Sequence, residues 1–165
     1  MAMEKTIENK IRKQWEEAGG VVYKNHGGAY TKKGVPDLTG VLKGIYVALE
    51  VKAPNGDPKP VQLRHLQEIA NADGVAAIIF DEKGFDYVKQ AVDSARTISV
   101  AQPNAYSLPS KKEDYTVPFA SYFWNHVKEH EADKGVVFIR KQGRGANDIA
   151  LRYALSNQTS DEIIM

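Results

Sequence analysis

A chain of 165 residues, 42% hydrophobic and 26% charged, is long enough for one packed domain with an extension and too short for two full domains, which excludes a fibre or a largely disordered chain. The absence of cysteine removes disulfide scaffolds, thiolate zinc sites and cysteine nucleophiles, so oxygen and imidazole are left as metal ligands. A formal net charge of +1 excludes a uniform polycation, no apolar run approaches the roughly 20 residues that cross a bilayer, and Met1 to Lys13 is too charged for a signal peptide, so no membrane partner and a cytoplasmic location are expected.

Ile7, Ile11, Gln14, Trp15 and Ala18 recur at helical spacing and Gly19-Gly20 follows them, which predicts a helix over Thr6 to Ala18. Val21 to His26 alternates as a strand, and Gly27-Gly28 ends it in a loop. Val35 to Leu42 and Ile45 to Ala53 read as two strands joined through Lys43-Gly44 in a hairpin. Pro58 to Pro60 leads into a helix with Leu63, Leu66, Ile69 and Ala70 on one face, closed by Asp73-Gly74. The continuous apolar run Val75 to Phe80 predicts a strand buried on both faces, and Phe85, Val88, Ala91, Val92 and Ala95 predict another helix. The expected order to Arg96 is αβββαβα, an α/β fold with a central mixed sheet flanked by helices.

Residues 97–116 are polar and turn-rich and read as a linker. Residues 117–165 read as a C-terminal α/β extension: a helix through Phe119, Phe123, Trp124 and Val127, a strand Val136 to Ile139, and a helix carrying Ile149, Tyr153 and Ala154. About 50 residues make a weak independent domain, so the extension is expected to dock on the first core or on a second subunit.

Glu50 and Lys52, two apart on a strand, leave the same face, while Val47, Leu49 and Val51 point to the other. An antiparallel pairing through the Lys43-Gly44 turn would set Asp37 beside Glu50. Two converging carboxylates call for a hard divalent ion, Mg²⁺ or Mn²⁺, completed by a main-chain carbonyl such as that of Val51 and by water. The bland alternative for any one of these residues is a solvated strand face with a cross-strand ion pair. Between Gly20 and Arg64, seven basic residues stand against three acidic ones, which suits an anionic partner.

Gly34-Val35-Pro36-Asp37, followed after twelve residues by Glu50-Val51-Lys52, resembles the PD-(D/E)XK nuclease motif. Within it, GVPDLTG, ALEVKAPNG and Gln62 in this order are most similar to the VRR-NUC family, over about residues 4–90. The acid spacing is also similar to that of Holliday-junction resolvases. The resemblance implies a nuclease core at residues 1–96 that hydrolyses phosphodiester bonds, as a divalent-metal-dependent endonuclease on branched or structured DNA in replication, recombination or repair. It implies Asp37 and Glu50 as metal acids and Lys52 as the motif lysine. Glu8 is implied as the acid of helix one, with Glu4 its rival, and Gln62 as the assisting glutamine. It further implies a homodimer. An unperturbed lysine is protonated at neutral pH, so Lys52 is expected to stabilise charge rather than act as base.

Lys24 and His26 on the first strand, with Tyr30, Lys32 and Lys33 after it, suit contact with a phosphate backbone and an unpaired base. Arg140 and Arg144 flank a basic glycine loop before a helix, a second candidate for phosphate contact. That loop lacks the Gly-Lys-Ser/Thr of a P-loop, so no nucleotide cofactor is expected. His126 and His130 have a zinc-compatible spacing without an apparent third ligand. The rival function in another class is a nucleic-acid-binding module that keeps the fold without cutting.

Overall fold

Among the described residues seven strands form one mixed sheet in the order β1-β2-β3-β4-β6-β5-β7, with helices on both faces. The computed structural model describes residues 2–26, 33–96, 105–142 and 147–163. Helix α1 (Ala2–Glu17) precedes strands β1 (Val21–Lys24), β2 (Leu38–Leu42) and β3 (Ile45–Val51). Helix α2 (Pro60–Asn71), strand β4 (Val75–Ile79) and helix α3 (Gly84–Arg96) follow. Then come β5 (Ala105–Ser107), a short 3-10 turn at Lys112–Asp114, α4 (Val117–His130), β6 (Val136–Ile139), β7 (Asn147–Asp148) and α5 (Ile149–Ile163).

One face of the sheet packs Val47, Leu49 and Val51 against Ile11 and Trp15 of α1 and Phe85, Val88 and Val92 of α3. The other packs Ala76 and Ile78 of β4 against Leu63 and Leu66 of α2, Phe119, Phe123 and Trp124 of α4, and Ile149 of α5. Strand β4, between β3 and β6, meets both layers, which is why its sequence is uninterruptedly apolar. Trp15, in the last turn of α1, donates from Nε1 to the Val41 carbonyl at 3.1 Å, so the helix is fastened to β2. Lys43 and Gly44 both take positive φ in the two-residue turn that sets the β2–β3 register.

The strands beside the motif are shorter than the sequence suggests. Strand β2 begins at Leu38 instead of Val35, because Gly34 lies at φ +83° and Pro36 has no N–H to pair. A Cβ on Gly34 would also collide with Val61 and His65 of α2. Strand β3 stops at Val51, although the Lys52 N–H still donates to the Ile79 carbonyl at 3.0 Å. Asp37 and Lys52 therefore stand just outside the strands assigned to them.

Residues 105–107, inside the stretch read as a linker, are strand β5 and lie parallel to β6. Strand β6 in turn runs antiparallel to β4, so the C-terminal segment continues the same sheet. Gln67 of α2, 2% exposed, joins the two parts: Nε2 donates to the Arg140 carbonyl and Oε1 accepts from the Leu108 N–H, each at 2.7 Å. Among the described residues no helix is long and apolar enough to cross a membrane.

Candidate active site

The β2–β3 register pairs Leu38 with Leu49, and one step further along the same ladder Asp37 stands opposite Glu50. The Asp37 carboxylate accepts a hydrogen bond from the Val51 N–H at 2.9 Å. Its main chain is held by Asn25, whose N–H donates to the Asp37 carbonyl at 2.8 Å. Asn25 Nδ2 also donates to the Pro36 carbonyl at 2.8 Å and to Thr39 Oγ1 at 3.0 Å. Sequence reasoning missed Asn25. Its only signal was an amide where the first strand runs out, and its partners become visible only with the β1–β2 register.

Glu50 is 2% exposed. One oxygen, Oε2, accepts from Gln62 Nε2 at 3.1 Å, and the other, Oε1, is buried and has no donor to accept from among the described residues. Its neighbour is the Asp37 carboxyl group, itself an acceptor, so a hydrogen bond between the two requires a proton on one of them. Burial first, then repulsion by Asp37 and the bond to it, push the Glu50 carboxyl up to about 9, with Glu4 adding to the rise and Lys52 opposing it.

Gln62 is the third residue of α2 and spends its Oε1 on the Lys59 N–H at 2.8 Å, so one amide caps the helix and orients Glu50. Lys52 is half-buried beyond the end of β3. Helix one contributes differently from expectation. Glu8, 7% exposed, is ion-paired to Lys24 Nζ at 2.7 Å. Glu4 accepts from the Ala53 N–H at 3.2 Å, and its charge is the one from this helix felt at Glu50.

Lys24 is thus turned toward α1, away from the face that carries Asp37 and Glu50, because alternate residues of a strand leave opposite faces. His26 and Lys33 are exposed. Tyr30, Lys32 and Arg144 lie outside the described residues. Arg140 leaves β6 beyond Ile139, which pairs with Ala76, whereas Glu50 pairs with Ile78; it belongs to the far end of the sheet. The rings of His126 and His130 lie 4.2 Å apart, tilted by 39°, and His126 Nε2 lies 3.1 Å from the Tyr106 hydroxyl, which donates to Glu131 at 2.7 Å. Burial and His130 lower the His126 pKa.

Among the described residues no three His, Asp or Glu side chains converge as a metal set. A cation between Asp37 and Glu50 would therefore take its remaining ligands from main chain and water. That fits an ion such as Mg²⁺, which keeps several waters and uses one or two carboxylates. The acceptor-rich pair, with a buried oxygen lacking a donor, has the chemistry of such a donor set.

The chain is similar to a solved structure described as a VRR_NUC domain. The two are 27% identical, the match covers 55% of this chain and 95% of that one, and the TM-score is 0.42. No protein-family model matches the chain, and no curated protein matches it.

Proposed function

We propose that the protein is a divalent-metal-dependent DNA endonuclease acting on branched or structured DNA. The observation that carries this reading is the buried Glu50 carboxyl group set against Asp37, with one oxygen lacking a donor among the described residues. A fold gains nothing from setting a part-buried acid against a buried one, and the arrangement becomes favourable once positive charge is shared between them. In the isolated chain a proton supplies that charge. Asp37, Glu50 and the Val51 carbonyl would hold Mg²⁺ or Mn²⁺, and the ion would supply Lewis acidity and make water a stronger acid.

The remaining work belongs to side chains. Lys52 stabilises the negative charge that grows on the phosphodiester during attack. Gln62 keeps the Glu50 carboxylate in one orientation through its bond to Oε2. Asn25 holds the Asp37 backbone in register. Of the helix-one acids, Glu4 assists, because Glu8 is already neutralised by Lys24. The C-terminal segment offers a surface for pairing two such chains into a dimer.

The test is cleavage of linear, flapped, nicked and four-way DNA by pure protein with Mg²⁺, Mn²⁺, Ca²⁺ or EDTA. Asp37→Ala, Glu50→Ala and Lys52→Ala are each expected to lower cleavage by at least about a hundredfold, the loss that follows removal of one electrostatic stabiliser. Circular dichroism should show the fold retained. Normal cutting by Glu50→Ala would end the nuclease reading, and binding without cutting by the wild type would favour the non-catalytic module.

A further inference from the structure

The sheet face that carries Asp37 and Glu50 is covered by α2 only over its central strands. Further from the acids, over β1, β2 and the start of β3, no described helix covers it. Cross-strand pairing puts Tyr23 beside Thr39 and aligns Val21, Val41 and Tyr46 in the next row, all on the same face as the acids. Tyr23 is 64% exposed and Tyr46 47%, with Val21 and Val41 also open to solvent. Tyr23 on β1 and Tyr46 on β3 stand one row apart with β2 between them, and their rings present flat apolar faces rather than a deep groove.

We propose that Tyr23 and Tyr46 form a stacking platform for unpaired nucleotides, so that the substrate carries a single-stranded stretch next to the bond at the acid pair. The proposal rests on the nuclease reading and narrows its substrate class. Three observations select this occupant. The platform is continuous with the acid pair: Tyr23 lies two strand residues from the Asp37 row and Tyr46 four residues from Glu50, about 7 and 13 Å along the strands at the usual rise. Strands β1 and β2 contain no acidic residue, and the surrounding segment is net basic, so a phosphate chain is not repelled. The large apolar side chains exposed here among the described residues are four, a small patch for a stable protein interface, whereas aromatic residues on an open sheet suffice to stack about two or three bases.

The experiment measures binding of the full chain to a fluorescent oligothymidylate and to a duplex of equal length, in EDTA so that nothing is cut. Tyr23→Ala and Tyr46→Ala are each expected to weaken single-strand binding about tenfold, while Tyr23→Phe and Tyr46→Phe keep it, because stacking needs the ring and not the hydroxyl. Duplex affinity should move less than about twofold, a change too small for a lost stacking contact. Unchanged oligothymidylate binding by both alanine variants would overturn the platform, and if wild type still cuts DNA while Glu50→Ala does not, the nuclease reading stands without it. Reduced self-association of the alanine variants by sedimentation, with single-strand binding intact, would overturn it in favour of a second copy on this face.

Discussion

Gln62 joins the first turn of α2 to Glu50: its Oε1 accepts the Lys59 N–H at 2.8 Å while its Nε2 donates to Glu50 Oε2 at 3.1 Å. The amide has no spare group to exchange, so its orientation is fixed from both ends. Gln62→Ala removes both bonds. It is expected to cost about 1 kcal/mol of stability through the lost helix cap and to lower cleavage by roughly tenfold or more as Glu50 loses its donor. Denaturant unfolding and single-turnover cleavage separate the two effects, and Gln62→Glu should restore the acceptor for Lys59 without restoring activity.

The acid pair makes stability depend on pH when no divalent ion is present. The Glu50 pKa is raised by folding from 4.5 to about 9, so its contribution is complete below the lower value and is lost as pH rises through the upper one. Metal-free protein should therefore unfold at progressively lower denaturant between pH 5 and pH 9. Glu50→Gln should flatten that dependence, and Mg²⁺ should stabilise the wild type most at the alkaline end.

Asn25 positions Asp37 without being an acid or a base. Asn25→Ala leaves the Pro36 carbonyl and the Thr39 hydroxyl without their donor. We expect a loss of about 1–2 kcal/mol, in the range for unsatisfied part-buried groups. Weaker Mg²⁺ binding by calorimetry should accompany it, whereas a purely structural residue would leave metal affinity in the folded state unchanged.

Phosphate contacts should track distance from the acid pair. Lys33 is exposed four residues before Asp37, whereas Arg140 belongs to the other end of the sheet. Lys33→Ala is expected to flatten the salt dependence of DNA binding by about one unit, with single-turnover cleavage at saturating protein near wild type. Arg140→Ala should leave the slope unchanged.

The sequence made the elements legible where periodicity was strong. The hairpin at Lys43-Gly44 and the strand at Val136–Ile139 were readable, and the adjacency of Asp37 and Glu50 followed from the hairpin alone. What escaped was whatever depends on partners distant in the chain. Lys24 looked like a phosphate ligand because nothing local reveals that Glu8 faces it across α1 and β1. Strand β5 has three residues and owes its place to pairing with β6, so no period could announce it. Nothing local marks Gln67 as buried, because its partners Leu108 and Arg140 lie far along the chain.

The antiparallel docking of β6 on β4 bears on how this protein can be divided. A fragment ending at Arg96 would retain every motif residue yet leave Ala76, Ala77, Ile78 and Ile79 presenting unpaired main-chain groups along an apolar strand. Such a border invites pairing with other chains. The motif-bearing half and the C-terminal half are thus one object for expression and for proteolysis: the second half seals the first.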